Sequence, residues 1–256
     1  YNSEAHLIAD KNKKIGDKYA KLVGAHVWQQ AIHSTASLVS WMIGYRNWEY
    51  SDYSERPDCL YVHAQTNMDI QRNSDEIAAF NNKQGEICMF YSQTSRVYDS
   101  AYLNILSNIY ANAVYTGRKV DFVTETTIKN LQNYKVLILA ANHNLSAKAL
   151  NEIKVFSDNG GKIIMFGEDC LKYDEYNKPH NADIVQNVIK QSTIVPITTL
   201  SISYMAPNGR EVQRIIDDTF ADLGFNTVEL IDVKTGEKVD RVEYMHTEYD
   251  GNLLIN

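Results

Sequence analysis

The stretch KVLILAANHNLSAKALNEIKVFSDNGGKIIMFG, residues 135–167, decides the fold class of this chain. Its two ends, KVLILAA (135–141) and KIIMFG (162–167), are apolar runs of strand length, which is typical of strands that are buried on both faces. Between them, Ser146 is suited to cap a helix and Gly160–Gly161 are suited to end it. The stretch therefore predicts a strand–helix–strand unit of a parallel sheet.

The same alternation begins upstream of this stretch. EICMFY (86–91) and VDFVT (120–124) are further strand-like runs. Between them, apolar residues recur at helical spacing over residues 102–114, before Gly117. We therefore expect an α/β domain over residues 84–195, with a parallel sheet and helices on both of its faces.

The N-terminal segment has a different pattern. Apolar residues at i, i+3 and i+4 spacing predict a helix over residues 14–33, and the apolar run at 36–42 predicts a strand that ends near Trp41. The tyrosine-rich stretch at 46–59 contains Pro57 and is expected to be irregular. A second helix is predicted over residues 67–80. The polar NNKQG that follows marks a domain boundary after residue 83.

The C-terminal segment reads as a helix followed by the start of a β-rich region, together covering residues 196–256. The run STIVPITTLSISY (192–204) is strand-like, and residues 208–223 carry a helical apolar stripe. TVELIDV (227–233) and the residues on either side of the Asp250–Gly251 turn carry strand and hairpin signals.

Composition restricts the possible functions. The net charge of −7 argues against nucleic-acid and anionic-membrane partners, because both require basic surface. Cys59, Cys88 and Cys170 are dispersed and odd in number, so they provide neither a disulfide framework nor a metal-binding pair. We expect three buried free thiols and no cofactor.

The opening YNSE is the candidate site of chemistry. Glu4 lies on a short segment before the first helix, and that helix leads to the strand that ends at Trp41. This order is typical of the last two units of a (β/α)8 barrel, in which catalytic groups lie at the carboxyl ends of the strands. Retaining glycosidases need a carboxylate nucleophile about 5 Å from a second carboxyl group.

The stretches NSEAHLIADKNKK, GAHVWQQAIHSTASLVSW, GEICMFYSQTSRVYDSAY and GGKIIMFGEDCLKYDEYNKP resemble β-galactosidase-type glycoside hydrolases. Those enzymes have a catalytic barrel followed by a flavodoxin-like trimerisation domain, and the likeness covers roughly residues 1–180. It implies that residues 1–83 are the incomplete end of a (β/α)8 barrel and that a flavodoxin-like domain follows. It also implies a carbohydrate substrate for the parent enzyme and a homo-oligomer.

The resemblance assigns roles to four residues. Glu4 would be the nucleophile, and Trp41, His6 and His33 would be near the sugar. Trp48, in the tyrosine-rich stretch, could stack on a sugar. Trp48 could equally pack onto the mouth of the barrel, and the two histidines could be structural.

Two departures from the family pattern lie beside that pocket. Trp41 is followed by Met42, Ile43 and Gly44 rather than by a second tryptophan, and His33 is followed by Ser34 rather than by glycine. In the family the acid/base carboxylate lies on the fourth strand, which would be upstream of Tyr1. We therefore expect the isolated chain to be inactive.

Other interpretations remain open. The chain could be a non-catalytic assembly module built on the flavodoxin-like domain. A flavin site would need a glycine in the loop SQTSRVYDS after the first strand of the sheet, and none is present. A glutamine amidotransferase would need a cysteine after the third strand, where the sequence has Ala141-Asn142-His143.

Overall fold

The computed structural model describes residues 2–6, 17–33, 38–41, 56–196, 209–224, 228–239 and 242–256. The chain divides into two compact units. One unit contains residues 1–83 and 247–254, and the other contains residues 84–246 and 255–256. The change of unit after residue 83 coincides with the predicted boundary.

The first unit begins with a strand–helix–strand arrangement. Strand β1 (Asn2–His6) is followed by helix α1 (Asp17–Ile32) and strand β2 (Leu38–Trp41). The two strands pair in parallel, as expected when a helix connects them. Helices α2 (Pro57–Arg72) and α3 (Ser74–Asn82) complete the run up to the boundary.

The expectation of an irregular stretch through residue 59 is wrong for its described part, because α2 begins at Pro57. Proline is favourable at the first helical position, where its missing N–H would have no intrahelical partner. Asp58, in the first turn, suits the positive end of the helix dipole. The predicted helix over residues 67–80 is two helices that meet at Asn73.

Helices α1 and α2 approach closely at Gly24. A Cβ atom at Gly24 would lie 3.0 Å from Val62 Cγ1 and 3.3 Å from Thr66 Oγ1. The buried side chains at this contact are small: Ala20, Val23 and Cys59.

The second unit contains a five-stranded sheet. Its strands are β3 (Ile87–Tyr91), β4 (Val120–Thr124), β5 (Val136–Ala140), β6 (Lys162–Phe166) and β7 (Ser192–Val195). All neighbouring strands pair in parallel, in the spatial order β4-β3-β5-β6-β7. Counted along the sheet this is the order 2-1-3-4-5 of flavodoxin, and it confirms the predicted fold class.

Helices cover both faces of the sheet. One face packs against α5 (Tyr102–Val114) and α8 (Gly209–Asp222). The other packs against a 3₁₀ helix (Ile128–Asn133), α6 (Ala147–Asp158) and α7 (Ala182–Lys190). The short helix α4 (Gln93–Tyr98) follows β3. Every residue of β5 is buried, which explains the continuous apolar run that predicted this strand.

Helix α8 belongs to the sheet unit. Ile216 and Phe220 are fully buried in the same core as Ile138 of β5, so the predicted division after residue 195 does not separate compact units. Helix α7 had not been predicted, although Asn181 provides a side-chain cap at its start.

The expected strand at TVELIDV is wrong for its described residues, which form only an isolated bridge between Ile231 and Lys238. Asp232 Oδ1 accepts hydrogen bonds from Lys234 N and Thr235 N and so holds a turn in this segment. The hairpin of β8 (His246–Tyr249) and β9 (Asn252–Ile255) is present as predicted.

The hairpin turn has a backbone conformation that matches its sequence. Asp250 and Gly251 have φ values of 49° and 73°. Positive φ at both central residues is the geometry of a type I′ turn, for which Asp-Gly is a preferred pair.

Candidate active site

The parallel pairing of β1 and β2 places the predicted catalytic strand beside the predicted sugar-binding strand. His6 is the register partner of Trp41, and Ala5 is the partner of Ser40. Both strands therefore end at the same edge, with Glu4 two residues before the end of β1. This is the arrangement that two consecutive units of a (β/α)8 barrel would have.

The pairing of β1 with β2 is irregular at the position of Glu4. Asn2 pairs with Leu38 and Ala5 pairs with Ser40, so three steps along β1 match two steps along β2. Such bulges are enriched near active sites, where they redirect a side chain or end the pairing.

Two of the remaining predicted residues, His33 and Trp41, lie toward opposite ends of β2. His33 directly follows α1 and precedes β2, whereas Trp41 is the last residue of β2. His33 is thus at the start of the strand and not at the carboxyl end where barrel enzymes carry their catalytic groups. The topology favours Glu4, His6 and Trp41 as a group. Trp48 lies outside the described residues.

The first turns of α1 and α2 meet through a cluster that sequence reasoning missed. Arg56 forms two hydrogen bonds to Asp58, with Nε–Oδ1 and Nη2–Oδ2 distances of 3.1 and 3.0 Å. Its guanidinium carbon lies 5.3 Å from the centroid of the Tyr19 ring. The hydrogen bond to Asp58 raises the pKa of Arg56. The amino ends of the two helices are therefore side by side, as in consecutive units of a barrel.

In the second unit, the carboxyl ends of β3 and β5 form the switch point where flavodoxin-like sheets bind ligands. Hydrogen-bonded groups from the loops of this chain occupy this position. The Asn144 carbonyl oxygen lies 2.6 Å from Ser92 Oγ and 2.7 Å from Ser95 Oγ. The Glu125 carboxylate accepts a hydrogen bond from Gln93 N at 3.3 Å and lies 3.0 Å from Ser92 Oγ. A flavin phosphate would meet this carboxylate, so the loop is unsuited to such a group.

A second set of hydrogen bonds joins the ends of β3 and β5 in the same region. Asn142 Nδ2 donates to Phe90 O and to Tyr102 Oη, both at 3.1 Å. Asn142 Oδ1 accepts from Ala140 N at 2.7 Å. Tyr102 Oη accepts from Ser92 N at 2.7 Å, and burial raises the pKa of the Tyr102 hydroxyl. These groups satisfy one another, which makes the switch point a rigid junction.

The position of an amidotransferase nucleophile is held by Ala141. Ala141 is fully buried and has a φ of 51°, a conformation that is uncommon for residues other than glycine. Cys170 is also buried, its Sγ lies 3.7 Å from Phe166 O, and burial raises its pKa to about 12. A thiol with that pKa is protonated at neutral pH and is a poor nucleophile. All three cysteines are free and buried, as predicted.

Two searches gave negative results within the described part of the chain. No group of three histidine, cysteine, aspartate or glutamate residues there is arranged to hold a metal ion. None of the helices described there is both long enough and apolar enough to cross a membrane.

Solved structures with the same fold are glycoside hydrolases. The exo-carrageenase GH42 from Bacteroides ovatus matches over 98% of this chain and 34% of its own, with a TM-score of 0.70 and 15% identity. Gan42B, a GH42 β-galactosidase from G. stearothermophilus, matches over 70% and 28%, with a TM-score of 0.53 and 16% identity. The β-galactosidase from Bacillus circulans sp. alkalophilus matches over 70% and 29%, with a TM-score of 0.53 and 12% identity.

At these identities the likeness establishes the fold, and it confirms the structural resemblance predicted from the sequence. The chain spans about a third of the length of these structures. No protein-family model and no curated protein sequence matches the chain.

Proposed function

We propose that this chain is the C-terminal part of a retaining glycoside hydrolase and that Glu4 is the nucleophile of that enzyme. The observation that carries the proposal is the parallel β1–α1–β2 unit, which places Glu4 near the carboxyl end of a strand that pairs with the strand ending in Trp41. The likeness to the exo-carrageenase, which extends over nearly the whole chain, supports it.

The reaction would proceed through a covalent glycosyl–enzyme intermediate. The Glu4 carboxylate would attack the anomeric carbon while a second carboxyl group protonates the departing glycosidic oxygen. Water would then attack the same carbon, transfer a proton to the second carboxylate and release Glu4. The resemblance assigns that second group to an upstream strand, so the isolated chain would be inactive.

The structural neighbours support a proposal for the substrate class. The two β-galactosidases and the exo-carrageenase share the fold, and we propose a galactose-containing glycoside as substrate. The residues that follow Trp41 in the sequence depart from the family pattern, and we propose that this departure changes the specificity relative to the β-galactosidases.

The test uses the enzyme encoded by the complete reading frame. Glu4→Gln should lower the kcat for a nitrophenyl galactoside by at least about 1000-fold, because removal of a catalytic group commonly costs that much. His33→Gln, at the other end of the unit, is the matched control and should retain most of the activity. Full turnover by Glu4→Gln would remove Glu4 from the mechanism.

A second candidate, a non-catalytic assembly module, is supported by the closed switch point. A sheet domain whose ligand-binding position is filled by Asn142, Asn144 and Glu125 is suited to a structural role. The two candidates differ in one respect. The hydrolase requires a glutamate on an upstream fourth strand of the same gene, and the assembly module does not.

A further inference from the structure

We propose that the carboxyl edge of the sheet domain carries a binding site for a neutral saccharide, with the rings of Tyr98 and Tyr176 as its platform. Both rings are exposed, Tyr98 at 50% and Tyr176 at 73%. Tyr98 is the last residue of α4 and Tyr176 lies in the loop after β6, yet Tyr98 Oη lies 3.5 Å from Glu175 O, the carbonyl directly before Tyr176. The two tyrosines are therefore neighbours on one surface.

Hydrogen bonds hold the backbone of the turn that carries Tyr176. Asp174 Oδ1 accepts hydrogen bonds from Tyr176 N at 2.9 Å and from Lys178 N at 2.8 Å. Asn144 Nδ2 ties this turn to the loop after β5, at 3.0 Å from Asn177 Oδ1. The backbone hydrogen bonds from Lys178 and Tyr176 lower the pKa of Asp174, so it stays ionised and the turn stays intact at neutral pH. The backbone at Tyr176 is thus already ordered, so binding does not have to order this loop.

Polar groups of the kind that recognise sugar hydroxyls lie on the segments that carry or contact the two tyrosines. Asp99, the residue after Tyr98, has its Oδ2 atom 3.9 Å from His143 Nδ1, and both side chains are partly exposed. The backbone of His143 joins the loop that carries Tyr176, because the His143 carbonyl accepts a hydrogen bond from Tyr173 N at 2.9 Å. The loops after β3, β5 and β6 thus converge on one surface.

The chemistry of this surface favours a neutral polyol over the other ligand classes. A pyranose has an apolar C–H face that packs on an aromatic ring and a rim of hydroxyls that bond to carboxylate and imidazole groups. Among the charged residues close to the two tyrosines in the sequence, Asp99 and Glu175 are acidic and Lys178 is basic, so the surface does not attract a polyanion.

The test is isothermal titration of the full 256-residue chain with galactotetraose, cellotetraose and mannotetraose. We expect at least one to bind, and Tyr176→Ala and Tyr98→Ala each to weaken its Kd about tenfold, the cost of losing an aromatic contact residue. Tyr61→Ala is the matched control, because Tyr61 is 67% exposed on α2 and should not affect binding.

Three outcomes would overturn the site: no binding of any of the three tetrasaccharides, equal loss in Tyr61→Ala, or unchanged affinity in both platform variants. Light scattering after size exclusion gives a further check. If both platform variants change only the oligomeric state, the tyrosines face a second copy of the chain and the saccharide assignment is wrong. The site does not depend on the catalytic role of Glu4.

Discussion

The sheet domain and the helices of the first unit differ in how much apolar surface they bury. In the sheet domain, β5 is buried along its whole length and the polar groups at its end are hydrogen-bonded to one another. In the first unit, α1 and α2 expose Leu22, Tyr61 and Met68. The buried cluster between α1 and α2 is small and consists of Ala20, Val23 and Cys59. The sheet domain therefore has a large apolar core on each face of its sheet, whereas the described helices of the first unit bury few apolar side chains against one another.

The largest expected effect on stability comes from a cavity created in the sheet core. Phe166 is fully buried at the end of β6, and Phe166→Ala should lower the free energy of unfolding by about 3–5 kcal/mol. Met68→Ala, on an exposed face of α2, is the matched control and should change it by less than about 0.5 kcal/mol. Urea unfolding monitored by circular dichroism measures both. A similar loss from both variants would contradict the contrast between the two units.

The next effect concerns the closed switch point. Asn142→Leu should lower the free energy of unfolding by about 2–3 kcal/mol, because Ala140 N and Phe90 O stay buried without this partner. Tyr102→Phe, which keeps the ring and removes the hydroxyl that accepts from Ser92 N and Asn142 Nδ2, should also cost about 1–3 kcal/mol. If Asn142→Leu were neutral in urea unfolding, the junction would not be held by these hydrogen bonds.

The smallest effect is a pH dependence confined to the first unit. Burial lowers the pKa values of His26 on α1 and His63 on α2. A histidine whose folded pKa is lowered binds more protons when unfolded, so this stability is present above the unfolded pKa of about 6.5 and is lost as pH falls below it. Hydrogen exchange should show faster opening of α1 and α2 at pH 5.5 than at pH 7.5, after correction for intrinsic rates.

The double variant His26→Gln with His63→Gln should weaken that pH dependence, and the strands of the sheet domain should show little of it. An equal response of β5 and α1 would mean that the two regions do not open independently.

Much of the sheet domain could be predicted because its signals are local. Continuous apolar runs gave β3 to β6 within a residue of their observed bounds, and Ser146 caps α6 as expected. The sequence pattern predicted only the later part of α2. Proline usually breaks a helix, but it is also a favourable first residue of one, as Pro57 is here. The strand at TVELIDV was overpredicted because an alternating pattern does not supply a pairing partner.

The roles of Glu4, His6 and Trp41 come from the family resemblance and stay predictions. The structure shows that all three lie on the paired strands β1 and β2. The Arg56–Asp58–Tyr19 cluster and the Asp99–His143 pair join residues from separate segments, and single residues of these types carry no signal in the sequence.

The sequence by itself determined the alternation of strands and helices in the sheet domain, the buried state of its cysteines and the placement of a carboxylate on the first strand of a βαβ unit. These properties depend on side-chain periodicity over a few residues. Only the tertiary structure decided the strand order, the packing of α8 into the sheet core and the closing of the switch point by Asn142 and Glu125. They depend on contacts between residues far apart in the chain, which are selected by shape and hydrogen-bond geometry after the local elements have formed.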